Sequence, residues 1–163
     1  MQLIGPFADG AFIDQKHTGE GLDRSPELKW SGAPAGTRSF AIVCDDPDAP
    51  SPRRPSGTPW VHWIIFNIPA TTSSIAEGLP RDAEPRELPG ARQGRNSWDR
   101  DNTGYRGPLP PPGSGAHRYI FRILALDTLL DVKTADADKT TILKAAQGHI
   151  LAEGQLIGKY ERK

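Results

Sequence analysis

Cysteine is almost absent from this 163-residue chain: Cys44 stands alone, which removes intramolecular disulfides and every Cys-x-x-Cys metal or redox motif. It lies in the apolar run Phe40-Ala41-Ile42-Val43-Cys44, where a single thiol is a small core residue rather than a nucleophile. Charge of one sign is missing as well. Lys plus Arg and Asp plus Glu number 20 each, so no global field draws the chain to nucleic acid or an anionic membrane. No apolar run approaches the roughly 20 residues that span a bilayer. Met1 to Gly10 lack the basic start and apolar middle of a signal peptide, so the expected location is cytoplasmic. The common catalytic signatures are absent too, with no Gly-x-Ser-x-Gly elbow, Walker loop, complete dinucleotide fingerprint or His-Glu-x-x-His. There is no internal repeat, and the length fits a single domain over 1–163.

What the chain has in quantity is glycine and proline, 17 and 16, which favours turns and extended segments over a helical bundle. Residues 39–44, 61–68 and 117–126 are rich in Ile, Val, Phe, Trp and Tyr and are bounded by Pro, Gly or Asp, so they read as strands. Strict alternation puts Phe40, Ile42, Cys44 and, if the strand continues, Asp46 on one face. It groups His62 with Ile64, Phe66 and Ile68, and sets Val61, Trp63 and Ile65 opposite. His117 and Tyr119 share a face with Phe121 and Ile123. The second strand is apolar on both sides and is expected at the centre of a sheet covered on both faces. Residues 69–116 form a long polar connection, expected to wrap the sheet without regular structure, with Trp98, Tyr105 and the prolines packing it. Helical spacing follows Asp138 at Ile142, Leu143, Ala145 and Ala146, and Gly154 to Lys163 can add an edge strand.

Three short motifs stand at the ends of the three main strands: Asp46-Pro47-Asp48-Ala49-Pro50, Trp60-Val61-His62-Trp63 and Gly115-Ala116-His117-Arg118-Tyr119. Together with Ser25-Pro26-Glu27-Leu28-Lys29-Trp30, Pro34-Ala35-Gly36-Thr37-Arg38-Ser39-Phe40, Gly148-His149-Ile150-Leu151-Ala152 and Leu156-Ile157-Gly158-Lys159-Tyr160, they resemble the phosphatidylethanolamine-binding protein family, also called Raf kinase inhibitor-like proteins, in its bacterial branch. The resemblance runs nearly end to end. It implies a mainly β fold of packed antiparallel sheets with small peripheral helices, and a shallow pocket that holds phosphate-like or carboxylate anions. It maps that pocket onto Asp46, Asp48, His62, His117 and Tyr119, with Gly107 and Pro110 at the rim, and implies no metal or other cofactor. The proline run 108–112 is expected to stiffen that rim. His17 and His149 match no pocket position and are expected to be structural or solvated.

The residue chemistry agrees. Histidines at a pocket mouth can donate to phosphate oxygens, and a carboxylate bonded to one ring nitrogen aims the other and favours the charged imidazole. Asp46 is the candidate for that orienting role. Asp48 between two prolines can instead close a turn. Binding is then expected to peak near neutral or mildly acidic pH. The leading expectation is therefore non-catalytic binding of a small anion or phosphorylated headgroup. One alternative is a hydrolase or metal-dependent enzyme using His62, His117 and Asp46. The other is a regulatory protein docking a phosphorylated protein partner, with Ile75, Leu79, Leu88 and Trp98 in 71–104 as a contact surface or homodimer interface.

Overall fold

The computed structural model describes residues 1–163, and the three expected strands are adjacent in one sheet. In chain order the strands are β1 (Gln2–Ile4), β2 (Leu28–Ser31), β3 (Ser39–Asp46), β4 (Trp60–Pro69), β5 (Ser74–Ile75), β6 (Arg92–Gln93), β7 (His117–Leu126) and β8 (Ile150–Tyr160), with one α-helix, α1 (Lys139–Ala146). A five-stranded antiparallel sheet runs β6-β4-β3-β7-β8, and a three-stranded one runs β1-β2-β5. The two sheets share a buried cluster that includes Leu28 and Trp30 from the small sheet and Phe40, Trp63, Phe121 and Ile123 from the large one. The opposite face of the large sheet is covered by α1 and the segment before it, where Ile142, Ala146, Leu130 and Val132 meet Val43, Ile64 and Phe66. With cover on both faces, all eight residues of β3 are buried, which is why this strand reads as an unbroken apolar run.

Strict alternation fails in β4, and the failure positions the site. Cys44 pairs with Trp63 but Asp45 with Val61, so His62 is an extra residue on β4, a bulge. A second bulge separates the Phe40–Ile68 and Ile42–Ile65 pairs; here Asn67 adopts φ +54° and its side chain bonds both the N–H and the C=O of Leu130. The expected faces are therefore corrected at both ends. Val61 lies with Ile64 and Phe66, Ile68 lies with Trp63 and Ile65, and His62 is turned to the side of Tyr119, the two rings 5.0 Å apart.

Residues 69–116 carry only the short strands β5 and β6. Packing holds the remainder. Tyr105 is buried edge-on to Trp63 and donates its hydroxyl to the His17 carbonyl, while Gln93 accepts from the Trp63 indole and donates to the carbonyls of Pro80 and Asp82. The contact surface expected in 71–104 is absent: Ile75 and Leu79 are buried, Leu88 packs on the core, and Trp98 faces a cavity. The apolar residues of this segment hold it onto the sheet instead. Asp138 caps α1 by accepting from the Thr141 N–H, Gly148 follows the helix at φ +82°, and β8 begins earlier than expected, at Ile150. No helix is long and apolar enough to cross a membrane.

Candidate functional site

Where the ends of β3, β4 and β7 meet, a cavity of about 400 Å³ opens to the surface. Its polar groups come from Asp46, His62, His117 and Tyr119, with Ser56 and Thr58 at the rim, and its walls from Trp60, Trp98, Pro50, Leu109, Pro110 and Pro111. The expected residues thus converge, with two exceptions. Asp48 stands behind the wall, where it accepts from the Arg118 backbone N–H at 2.9 Å and from its guanidinium Nε and Nη2 at 3.0 and 2.9 Å. Those bonds, the guanidinium first among them, hold its carboxyl below the usual range. Gly107 is also off the cavity. Its N–H donates to Asp23, and a Cβ there would come within 2.0 Å of the His17 carbonyl oxygen, so glycine is required by the chain crossing.

Two histidines enter the cavity with different partners. His117 is fully buried, with Nδ1 2.7 Å from Asp46 Oδ2. The other Asp46 oxygen accepts from the Asp48 N–H at 2.7 Å, so a turn built from the carboxylate itself fixes its orientation. Burial pushes the Asp46 carboxyl up, and the bonds from His117 and the Asp48 N–H oppose that shift. The His117 Nε2 is not free: Ser114 Oγ lies 2.9 Å from it.

His62 Nδ1 is 2.6 Å from the Arg106 carbonyl oxygen. A carbonyl can only accept, so Nδ1 carries the proton and the neutral ring presents a lone pair at Nε2. That nitrogen bonds to no protein atom and is open to the cavity. Burial lowers the His62 pKa to about 4, and the Arg106 carbonyl and the charges of Asp23 and Asp45 only partly offset it. This corrects the expectation that both histidines donate to an anion: above about pH 4, His62 accepts. Its ring is held between Trp98 and Tyr119, each 5.0 Å away centroid to centroid. Trp98 is placed by its neighbours, since Ser97 exchanges hydrogen bonds with the backbone of Val61 and the Asn96 side chain accepts from the Trp98 N–H. The buried Tyr119 hydroxyl has no protein partner, and burial keeps the phenol protonated. No lysine or arginine lines the cavity, and no three His, Cys, Asp or Glu side chains are grouped to hold a metal ion.

Sequence reasoning gave Trp98 a packing or surface-contact role rather than a place on the cavity wall, and did not single out Ser114, which contacts His117. The cue for Trp98 was Asn96, a capping residue two positions before it. The cue for Ser114 was a serine between two glycines, three residues before His117. His17 and His149 do lie elsewhere, one buried on the Arg24 carbonyl and the other exposed on Asp127.

Two antiparallel sheets packed on a common core, with a cavity at the strand ends that pairs Asp46 with His117, define a mainly β class of two-sheet proteins. Residues 4–161 match the family model described as phosphatidylethanolamine-binding protein, and the chain belongs to that family. A UPF0098 protein of Methanothermobacter thermautotrophicus is 45% identical over 157 residues, covering 96% of this chain and 95% of that one. A UPF0098 protein of Pyrococcus horikoshii is 43% identical over 163 residues, which is 100% of this chain and 77% of its own length. Among solved structures, Escherichia coli YbcL, described as a member of the mammalian PEBP family, superposes with TM-score 0.86 at 33% identity, covering 99% and 98% of the two chains. The Chlamydia trachomatis homologue CT736 gives 0.83 at 34%, covering 99% and 97%.

Proposed function

We propose that the cavity binds, without turning it over, a small singly charged anion that still carries a proton, such as the monoanion of a phosphate monoester or its phosphorylated headgroup. The observation that carries this reading is a pair of groups without protein partners in one cavity: the Tyr119 hydroxyl, which can donate, and the His62 Nε2, which can only accept. A fully ionised dianion would bring its charge against the His62 lone pair and the Asp46 carboxylate with no lysine or arginine on the walls to offset it. A ligand with one O–H and one charged oxygen satisfies both sides. Turnover is unsupported at this position, because the rim serine, Ser56, spends its hydroxyl on the Thr58 carbonyl. The wall of Trp60, Trp98 and prolines suits an apolar group attached to the anion.

Calorimetric titration with a phosphomonoester tests this, with Trp98 fluorescence as a second readout. The second phosphate proton leaves near pH 6, so affinity should fall by roughly 25-fold between pH 5.5 and 7.5. A phosphodiester, which has no proton to give the His62 Nε2, should bind weakly at both pH values. Tighter binding at pH 7.5 than at 5.5 would overturn the assignment of His62 as an acceptor. Absence of binding at any pH would remove the reading altogether.

A further inference from the structure

We propose that Ser114, His117 and Asp46 form an acyl-transfer centre beside the cavity, with small, unhindered carboxylic esters as its substrates. One imidazole links the three: Asp46 Oδ2 lies 2.7 Å from Nδ1, and Ser114 Oγ lies 2.9 Å from Nε2. This is the chain of contacts by which a carboxylate orients a histidine and the histidine activates a hydroxyl, a constellation recognised by geometry on unrelated folds. The carboxylate end is preorganised, because Asp46 is buried and its second oxygen is held by the Asp48 N–H at 2.7 Å. With Nδ1 turned to that carboxylate, Nε2 is the nitrogen that faces the serine oxygen.

Ser114 sits on a turn shaped for access. Gly113 and Gly115 adopt φ +72° and +96°, and a Cβ at either would meet nothing within 4 Å, so an ester can approach from solvent. The Gly115 N–H, directly after the serine, has no acceptor in the protein and is the candidate donor to a developing oxyanion. Ser114 Oγ also lies 2.7 Å from the Pro111 carbonyl, which holds the resting hydroxyl in place; its one proton must move to Nε2 for attack. Ser114 does not line the cavity, so an acyl group on it would lie outside that cavity, which suits short acyl groups.

The step balances without a further reactant except water. Ser114 Oγ bonds to the ester carbonyl carbon as its proton passes to His117 Nε2. The carbon–oxygen bond to the alcohol then breaks, and Nε2 returns the proton to the departing oxygen. Water, deprotonated by the same nitrogen, cleaves the acyl-serine to carboxylic acid and regenerates the hydroxyl.

The experiment treats the full chain with a fluorophosphonate probe and maps the adduct by peptide mass spectrometry, alongside p-nitrophenyl acetate hydrolysis. One adduct is expected, on Ser114, with hydrolysis at least about 100-fold lower in Ser114→Ala, in line with loss of a nucleophile. Ser114 is half-buried on a turn, so this variant is expected to fold, and its circular dichroism checks that. A second variant avoids dependence on weak esterase rates: Ser114→Cys should be alkylated by iodoacetamide at pH 7 about tenfold faster than the exposed control Ser74→Cys, because a neighbouring histidine raises the thiolate fraction. No adduct on Ser114, ester hydrolysis unchanged in Ser114→Ala, or equal alkylation of the two cysteines would each overturn the proposal. Phosphomonoester binding does not enter these readouts, so the binding reading can fail or stand separately.

Discussion

The two halves of the cavity each present a histidine whose Nδ1 is tied to an oxygen, and they differ in which oxygen it is. On the β3–β7 side the partner of His117 is the Asp46 carboxylate, whereas on the β4 side the partner of His62 is the Arg106 backbone carbonyl. A carboxylate meets the ring with a full negative charge; a carbonyl meets it with a dipole. Against the desolvation of a buried ring the dipole is too weak, and His62 is neutral down to about pH 4. At similar distances, 2.7 and 2.6 Å, the two far nitrogens meet different surroundings, Ser114 Oγ at His117 and the open cavity at His62.

The largest effect expected from this difference is on stability. The unfolded chain protonates His62 near 6.5 and the folded chain only near 4, so the unfolded state binds the proton first as pH falls. The stability tied to the neutral ring is complete above about 6.5 and declines by about 3 kcal/mol towards pH 4. Denaturant unfolding at several pH values should show that slope in wild type and a shallower one in His62→Gln. An identical slope in both would place His62 in contact with water and break the comparison at its β4 side.

Asp46→Asn removes the charge from the other half and puts an amide where the Asp48 N–H and His117 Nδ1 both need acceptors. A loss of about 2 kcal/mol in unfolding free energy is expected, since one buried donor loses its acceptor. A neutral result would mean that the carboxyl is already protonated, which its upward shift would then explain.

Next comes ligand affinity. If the pH preference for a phosphomonoester depends on the His62 lone pair, it should disappear in His62→Gln, whose amide can both donate and accept. The roughly 25-fold drop between pH 5.5 and 7.5 should shrink to within about twofold, corresponding to about 1.5 kcal/mol of pH-dependent binding recovered. Persistence of the full drop would assign it to Asp46 instead.

The smallest effect is expected at Asp48→Asn. The variant keeps the turn but loses the ion pair with Arg118, whose side chain is 52% exposed, so solvent screening limits the cost to about 1 kcal/mol or less. Because the carboxyl of Asp48 is shifted down, its contribution is present above the unfolded value near 3.9 and disappears as pH falls through the folded one. The measurement is the difference in unfolding midpoint between pH 7 and pH 3, which should narrow in the variant.

Much of this was legible in the amino-acid order. The strands at 39–46, 60–69 and 117–126 were visible as apolar runs bounded by turn residues, and the cap at Asp138 was visible as a short polar side chain before helical spacing. The family motifs were legible as short runs in a fixed order, and Asp46, His62, His117, Tyr119 and Pro110 do share one cavity. The sequence alone therefore determined the strands, the family and most of the residues that meet, because those follow from local periodicity and residue type. Only the tertiary structure decided what those residues can do. The bulge at His62 depends on register against β3, and the tautomer of its ring depends on a carbonyl 44 positions away. Asp48 was drawn to Arg118 and Gly107 to a chain crossing, while Ser114 was brought to His117 by a glycine turn. Side-chain period and composition carry no information about which backbone oxygen faces a given ring nitrogen. That is set by long-range packing, and it determines whether a buried histidine donates, accepts or activates.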